Sequence, residues 1–315
     1  MNIIGKQKTL EYFKNAVAND TLHHFYILEG QKGVGKKTLA HHIARMIHCS
    51  GAAKPCGTCS ACIKHMGGSH PDFAVVSENS DKGNISVDTI RRISEDIYVK
   101  PLLADKKIYL IDDSKPFGIE AQNAFLKILE EPPSYAVIFL SATNAKALLP
   151  TVLSRAVVMR VDPCTKYEIL RYLKENFPDT ENAGLIASLS GGIIGTAADM
   201  ASGEEYFEAR KALYDVMSKN GPELILGLEQ YIAKNKENIN RSINLLLSWI
   251  RDAVSLKNGG SAINYDYEAE IMRFATKCKA LKLTAIADEA IDIAQRFKKG
   301  NNLSLWTINL LTKFN

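Results

Sequence analysis

The feature that most constrains the fold of this chain is a glycine-rich segment between a predicted strand and a predicted helix. The segment 30–36 follows the apolar run 24–28, and residues 38–47 carry apolar side chains at helical spacing. Strand, glycine-rich turn and helix form a phosphate-binding loop, in which main-chain N–H groups cradle phosphates. An ordinary glycine-rich turn is the plainer alternative. The predicted phosphate-binding positions are Gly30, Gly33, Gly35 and Lys36.

The residue after the loop lysine departs from the phosphate-binding pattern. That pattern, G-x-x-x-x-G-K-[ST], ends on a hydroxyl that ligates Mg²⁺, and here Lys37 occupies the position. An ammonium group cannot ligate a cation. Thr38 comes one residue later and is turned by about 100° around the helix, so it is a poor substitute. We therefore expect a degenerate nucleotide site and leave open whether ATP and Mg²⁺ still bind.

A second predicted strand, 108–111, ends on the paired carboxylates Asp112 and Asp113. In phosphate-loop ATPases this strand supplies an Asp to the Mg²⁺ shell, and the acid that follows, usually Glu, polarises the attacking water. Asp113 is one methylene shorter than Glu, and such misplacement slows catalysis. The alternative interpretation of the pair is a solvated strand end or a helix cap.

The order of predicted elements indicates an α/β domain followed by helices. Short apolar β-rich runs occur at 74–76, 107–111, 136–140 and 157–161, with helical segments at 87–97 and 119–129 between them. Strands that alternate with helices predict a parallel sheet covered on both faces. After this the β pattern ends, and helices are predicted at 166–176, at 181–189 and in every segment from 204 to 313. The predicted domains are an α/β domain (1–161), a small helical lid (162–201) and an all-helical domain (202–315).

Composition narrows the function classes only modestly. The net charge of +4 in 315 residues neither requires nor excludes a nucleic-acid partner. The chain has no apolar signal region at its start and no run of 18 apolar residues. We therefore expect a cytoplasmic protein with no membrane partner, whose cysteines are thiols, metal ligands or redox groups rather than structural disulfides.

Four closely spaced cysteines predict a metal site at about residues 49–62. Cys49, Cys56, Cys59 and Cys62 follow the spacing C-x6-C-x2-C-x2-C. Four thiolates suit a tetrahedral structural Zn²⁺ site with no open position for water. An iron–sulfur cluster and four unligated thiols are the alternatives. His48 and His65 lie nearby in sequence but are not assigned as ligands.

Three further segments carry a family resemblance. They are FLKILEEPP (125–133), FLSATN (139–144) and LPTVLSR (149–155), and they resemble clamp-loader subunits of the AAA+ class in the same order along residues 1–200. The cysteine cluster is similar to the zinc module of bacterial DNA polymerase III clamp-loader subunits. The resemblance implies that Thr143 belongs to the degenerate nucleotide site. It also implies that residues 202–315 form a collar through which subunits oligomerise. Gly195 stands where active subunits carry a phosphate-sensing Arg.

The resemblance also implies a function. It points to a non-hydrolysing subunit that helps load the sliding clamp onto primed DNA during replication. The implied partners are tau/gamma and delta subunits in a hetero-oligomeric ring, the clamp and primed DNA. Arg155 is implied as an exposed arginine finger that reaches a neighbour's ATP site. The plainer interpretation of Arg155 is a cation at the C-terminal end of a short helix.

Two other functions remain under consideration at this point. The first is an active tau/gamma-like AAA+ motor in which Thr38 or a water molecule replaces the missing hydroxyl. The second is a zinc-dependent nucleic-acid-binding module. The second is disfavoured because neither interleaved aromatic residues nor a basic stripe flanks the cysteines.

Overall fold

A computed structural model of the chain describes residues 3–76, 85–112, 117–203, 205–296 and 303–314. The chain divides into two compact units, each treated separately below. The first comprises Met1–Pro178 with Ser190–Ala197, and the second comprises Asp179–Leu189 with Ala198–Asn315. The predicted domain boundaries after residues 161 and 201 stay a prediction.

The first unit is built on a parallel sheet, as the alternating pattern predicts. Its strand order is β2-β3-β4-β1-β5, and every neighbouring pair is parallel. All the predicted strands are present, with ends that differ from the predicted ones by at most two residues. The strands are β1 (Phe25–Glu29), β2 (Phe73–Val76), β3 (Lys107–Asp112), β4 (Ala136–Ala142) and β5 (Val157–Arg160).

Helices connect the strands of this unit. The predicted helices at 87–97, 119–129 and 166–176 are confirmed as α4, α5 and α7. The sequence analysis did not predict α1 or the short α3. The helices are α1 (Gln7–Ala18), α2 (Lys36–His48), α3 (Ser60–Met66), α4 (Val87–Asp96), α5 (Ile119–Glu130), α6 (Pro150–Leu153) and α7 (Lys166–Asn176).

Alternate residues of the central strands face two separate hydrophobic layers. On β3, Tyr109 and Ile111 pack into the layer that contains α4 and α5. Ile108 and Leu110 pack into the other layer, with α1 and α2. Both faces of the sheet are therefore covered, which explains why the central strands are continuous apolar runs rather than alternating ones. Glu29, Asp112 and Ser141 are polar residues at or near the carboxyl ends of these strands.

The second unit is helical. Its core surrounds Trp249 and Tyr214, whose ring centroids lie 4.8 Å apart in an edge-to-face contact. Among the described residues, no helix is both long and apolar enough to cross a bilayer. The remaining helices along the chain are α8 (Ala183–Leu189), α9 (Ile194–Ser202), α10 (Glu205–Met217), α11 (Gly221–Lys234), α12 (Ile239–Lys257), α13 (Glu268–Lys277), α14 (Ala280–Arg296) and α15 (Leu303–Thr312).

A buried polar network ties α10 to the segment that precedes α13. The Arg210 side chain is 4% exposed and donates from Nη1 to Asp266 Oδ2 at 2.7 Å. Its Nε donates to Asn264 Oδ1 at 3.2 Å. The Asn264 main-chain N–H in turn donates to Asp252 Oδ2 at 2.7 Å. Arg210, Asn264 and Asp252 are buried, so removal of the guanidinium leaves the buried Asn264 oxygen without its donor.

We expect Arg210→Met to lower the free energy of unfolding of the helical unit by about 2–5 kcal/mol. The matched control is Arg273→Met, because Arg273 forms an exposed pair with Glu270 on a helix of the same unit. That change is expected to stay within about 0.5 kcal/mol. Denaturant unfolding followed by circular dichroism measures both, and equal losses in the two variants would contradict this interpretation of the network.

Candidate nucleotide-binding cleft and cysteine cluster

The glycine-rich loop joins β1 to α2 at the carboxyl end of the sheet. Gly33 and Gly35 have φ angles of 81° and 99°, in the left-handed region that favours glycine. A Cβ atom on Gly30 would lie 2.5 Å from the main-chain oxygen of Val161. The path of the loop therefore requires glycine at all three of these positions.

The loop lysine is turned back onto the loop itself. Lys36 Nζ donates to the carbonyl oxygens of Gly30 at 2.6 Å and Gln31 at 3.0 Å. Thr38, in the first turn of α2, is exposed. Lys36 therefore stabilises the loop by binding the loop's carbonyl groups, and it also lines the cleft described below.

An ion pair occupies the position where a phosphate-loop ATPase holds its metal. Lys37 Nζ contacts the Oδ2 atom of Asp112, the last residue of β3. Ser141, the register partner of Asp112 on β4, donates its hydroxyl to Oδ1 at 3.0 Å. The Asp112 side chain is 6% exposed. A buried carboxylate needs a compensating charge, and here a side chain of the same protein supplies it.

These residues line a cleft of about 750 Å³ within the first unit. Thr143, at the end of β4, is exposed on its wall. Asp113 lies outside the described residues. The structure thus brings together every described residue of the predicted nucleotide site except Gly30. Gly30 does not line the cleft but lies against the main chain of Val161. The lining includes Lys6, Lys32, Gly33, Gly35, Lys36, Lys37, Thr38, Asp112, Ser141, Thr143, Glu175 and Gly195.

The first turn of α9 closes over the phosphate-binding loop. The Gly195 N–H donates to the Gly33 carbonyl at 2.9 Å. A Cβ atom on Gly195 would lie 3.1 Å from Gly33 Cα. A larger residue here would have to displace the loop, so the close approach favours glycine.

The four cysteines converge between α2 and α3. Their sulfur atoms all lie within 4.8 Å of one another, and the Sγ atoms of Cys59 and Cys49 are 3.9 Å apart. Tetrahedral zinc, with Zn–S bonds of about 2.3 Å, separates its sulfurs by about 3.8 Å. Main-chain N–H groups of Gly51 and Cys56 donate to Cys49 Sγ at 3.3 and 3.2 Å. Both the spacing and the donors fit four thiolates around one metal ion.

Two of these thiols are already polarised towards the thiolate form. The main-chain N–H groups of Thr58 and Cys59 lower the pKa of Cys56 to about 7. Those of Cys62 and Ser50 lower the pKa of Cys59 to about 5. Burial raises the pKa of Cys62 to about 12. A cation at the centre would supply the charge that keeps Cys62 ionised beside its neighbours.

Comparison with known proteins identifies the family. A family profile described as "DNA polymerase III, delta subunit" matches residues 5–165, and one for the C-terminal part of that subunit matches residues 204–315. The chain is 28% identical over 259 residues to subunit delta' of Bacillus subtilis DNA polymerase III, covering 80% of this chain and 78% of that protein. It is 26% identical over 302 residues to Escherichia coli subunit delta', covering 92% and 88% of the two chains. This chain belongs to the delta-prime family of DNA polymerase III subunits.

The chain is also similar to tau/gamma subunits of DNA polymerase III. The chain is 29% identical over 184 residues to subunit tau/gamma of Haemophilus influenzae, covering 56% of this chain and 26% of that protein. This match spans little more than half of the chain, whereas the match to the Escherichia coli delta-prime subunit spans 92% of it.

Arg155, the predicted finger, lies in the delta-prime chain between α6 and the edge strand β5. Its side chain is 35% exposed, so part of it reaches solvent. Nη2 pairs with Glu130 Oε1 at 3.1 Å, and Nη1 donates to the Thr151 carbonyl at 2.9 Å. The sequence analysis missed Glu130 as a partner because 25 residues separate the two side chains. The two adjacent acidic residues before Pro132, Glu130 and Glu131, could have indicated an acidic partner for Arg155.

We expect Cys62→Ser to reduce the metal content of the purified protein by one equivalent, because it removes a buried ligand of the cluster. Cys278→Ser is the matched control, since Cys278 is also a buried free thiol but lies in the other unit. Elemental analysis of protein prepared without chelator measures the content of both variants. Equal metal content in wild type and Cys62→Ser would show that the cysteine cluster does not bind the metal.

Proposed function

We propose that this chain is the non-hydrolysing delta-prime subunit of the bacterial DNA polymerase III clamp loader. In this role it acts in the cytoplasm and helps to load the sliding clamp onto primed DNA. It also supplies Arg155 as an arginine finger to the ATP site of a neighbouring subunit. Family membership supports the assembly, and the Lys37–Asp112 ion pair is the observation that supports the absence of hydrolysis.

The ion pair opposes magnesium chemistry in two ways. Lys37 removes the hydroxyl that would ligate Mg²⁺, and its ammonium group neutralises the Asp112 carboxylate that would also serve the metal. A Mg²⁺ ion would have to displace a cation that is covalently part of the chain. Gly195 adds to this effect, because it offers no side chain to the phosphates. Each change affects a different part of the hydrolytic machinery.

Zinc is the metal that we propose for the cysteine cluster. Four sulfur ligands complete a tetrahedral shell, and the site therefore has a structural role. The cluster closes the connection between α2 and α3. Because α2 begins at the phosphate-binding loop, the metal stabilises the far end of the helix that carries the degenerate site.

The position of Arg155 supports its proposed role towards a neighbouring subunit. It follows α6 and precedes β5, which lies at one edge of the sheet. Hydrogen bonds from Arg155 and Ser154 to carbonyls of the α6 segment give the side chain a firm base. A guanidinium held in this way can make a planar two-point contact with phosphate oxygens.

Glu130 gives the finger a resting position. In the single chain the Arg155 guanidinium is neutralised by Glu130. In the ring, the γ-phosphate of a neighbour's ATP would replace this carboxylate as the anionic partner. The exchange substitutes one charge-assisted contact for another, so Arg155 need not be left unpaired at any stage.

The proposed partners follow from the same family membership. Tau/gamma and delta subunits would form the hetero-oligomeric ring, with residues 202–315 as the collar that joins it. The helical core around Trp249 makes this region large enough to fold as an independent assembly unit. The clamp and primed DNA are partners of the complete loader.

An active tau/gamma-like motor is the second candidate. The observation that favours it is the position of Thr38 on the cleft wall, one residue after Lys37. Magnesium-dependent ATP turnover by the isolated chain separates the two functions. The non-hydrolysing subunit is expected to remain at background alone, whereas a motor would turn over without partners.

We expect Arg155→Ala to leave assembly and metal content unchanged but to slow ATP hydrolysis at one neighbouring site and to impair clamp loading. Arginine fingers contribute about 10³–10⁵-fold to rate in other phosphoryl-transfer systems. Arg155→Lys is expected to restore little activity, because an ammonium cannot reproduce the planar contact. Clamp loading by reconstituted complexes measures the effect.

Arg160→Ala is the matched control for this experiment. Arg160 is the last residue of β5, the edge strand that Arg155 precedes, and its side chain is 83% exposed. This variant tests whether the loss of any positive charge at this edge of the sheet impairs clamp loading. Unchanged loading with Arg155→Ala, or an equal loss with Arg160→Ala, would argue against a finger at Arg155 while leaving the family membership intact.

A further inference from the structure

An acid-free segment of the chain runs from the phosphate-binding loop through the cysteine cluster. Residues 30–71 contain no Asp or Glu, although the whole chain has 35 such residues. The segment contains six Lys or Arg residues and five of the seven His residues. Because the whole chain has 39 Lys and Arg residues, the remainder of the chain is net negative. Such an asymmetry of charge favours a polyanionic partner for the basic part.

The helix α2 carries several of these basic groups on its solvent side. Lys37, His41 and Arg45 are spaced by four residues, which places them in one row along the helix. Lys37 begins the row in the cleft, where it pairs with Asp112. His42 lies beside the row, with its Nδ1 atom 3.5 Å from Arg45 Nη2. The opposite side of α2 is apolar and packs with α1 into one hydrophobic layer.

A lysine of α1 adds to the positive potential at this side of α2. Burial first, and then the charges of Arg45 and Lys14, lower the pKa of His42 to about 4. Lys14 is exposed on α1, the helix that packs beside α2. The three side chains are therefore close enough to interact electrostatically, although Lys14 lies far from the other two in sequence.

A lysine of α3 extends the same surface. Burial first, and then neighbouring groups that include Arg45, lower the pKa of His65. His70 stacks on His65 and on His48, with ring centroids 4.6 and 4.3 Å apart. Burial lowers the pKa of His70, and the charge of Lys64 lowers it further. Three helices thus contribute to one surface, which we call the basic face: Lys14, His41, His42, Arg45 and Lys64.

The cations of the basic face lack carboxylate partners. Among the described residues, no carboxylate forms an ion pair with Lys14, Arg45 or Lys64. Asp72, the first acid after the acid-free segment, is 2% exposed. Its carboxylate accepts the main-chain N–H groups of residues 102–104 at 2.6 to 2.9 Å. This acid is therefore committed to a loop of the fold rather than to the cations of the basic face.

Arg45 is half-buried without an acceptor that balances its charge. Its Nε atom is buried and has no hydrogen-bond partner in the described part of the chain. Its Nη2 atom makes only the long contact with His42 there. A guanidinium shielded from water without a carboxylate is costly. A phosphate beside Arg45 would supply the opposite charge, and a planar guanidinium can contact two phosphate oxygens at once.

We propose that the basic face binds the phosphate backbone of duplex DNA, with Arg45, Lys14 and Lys64 as the phosphate contacts. The contact rests on the proposed function, in which primed DNA is a partner, and it gives this subunit a surface for the duplex. A row of phosphates fits cations from three separate helices better than a single small anion does. The face offers no Phe, Tyr or Trp ring for stacking on unpaired bases, which favours duplex over single-stranded DNA.

The sequence alone does not show this surface. Its cations are scattered over α1, α2 and α3, so they form no continuous basic stripe beside the cysteines. The fold brings them together on one side of α2. Contacts of this kind are made to the DNA backbone and are therefore independent of base sequence.

Fluorescence anisotropy of a short labelled duplex with the full-length, metal-loaded chain tests the proposal. Binding is expected to weaken as the salt concentration rises, because each phosphate contact releases counterions. Arg45→Gln, Lys14→Gln and Lys64→Gln should each weaken binding. Each should also reduce the magnitude of the slope of log affinity against log salt by about 0.9. No detectable binding of the duplex at low salt would overturn the proposal.

Arg171→Gln is the matched control, because it removes one positive charge from the same unit and Arg171 is paired with Glu175 on α7. It should keep the wild-type slope. An equal loss in Arg171→Gln and in the three variants would mean that the DNA responds only to total charge, and would overturn the assignment to the basic face. Circular dichroism and metal content report folding. Because Lys14 is exposed, Lys14→Gln keeps the test valid even if Arg45→Gln does not fold.

Two competitors identify the occupant of the basic face. The labelled duplex should be displaced less readily by a single strand of the same length, and less readily by a poly-glutamate peptide at equal concentration of charge. Equal or better displacement by poly-glutamate would assign the face to an acidic protein segment, and equal or better displacement by the single strand would overturn the preference for duplex. A chain that fails to bind the duplex but still supports clamp loading would contradict the basic face and leave the proposed function intact.

Discussion

The ion pair between Lys37 and Asp112 is the interaction on which the rest of this account depends. It forms because the loop after β1 and the end of β3 meet at one edge of a parallel sheet, where ATPases place a metal ion. Here the cation is the Lys37 ammonium group, which is covalently attached to the chain and cannot dissociate. The scaffold of a nucleotide site is therefore kept, with its loop and cleft, while the position of the metal is taken by the protein itself.

The same sheet explains how such a chain can remain useful to an ATPase assembly. The degenerate cleft lies at the carboxyl ends of the strands. Arg155 lies just before β5, the last strand on one side of the sheet. A ring subunit can therefore lose its own chemistry without losing a group that serves a neighbour. The Glu130 contact adds a requirement to the proposed function, since Arg155 would have to exchange this carboxylate for a phosphate.

The sequence predicted most of the first unit, because apolar strand runs and glycine punctuation are local signals. It predicted neither α1, whose N-cap residue Lys6 makes no side-chain cap, nor α3, which is only seven residues long and lies among cysteines. The cysteine site was predictable from spacing alone. The contact of Arg155 with Glu130 and the convergence of His70 on His48 and His65 join distant residues, so no local pattern records them.

The most direct test of the central claim is the magnesium dependence of ATP binding by the full chain, measured by calorimetry for wild type and Lys37→Thr. The account predicts that Mg²⁺ does not tighten ATP binding by the wild type, because Lys37 already neutralises Asp112. Lys37→Thr should gain magnesium-dependent affinity, since it restores the hydroxyl ligand and frees the carboxylate. Wild-type protein that bound ATP more tightly with Mg²⁺ than without it would contradict the account.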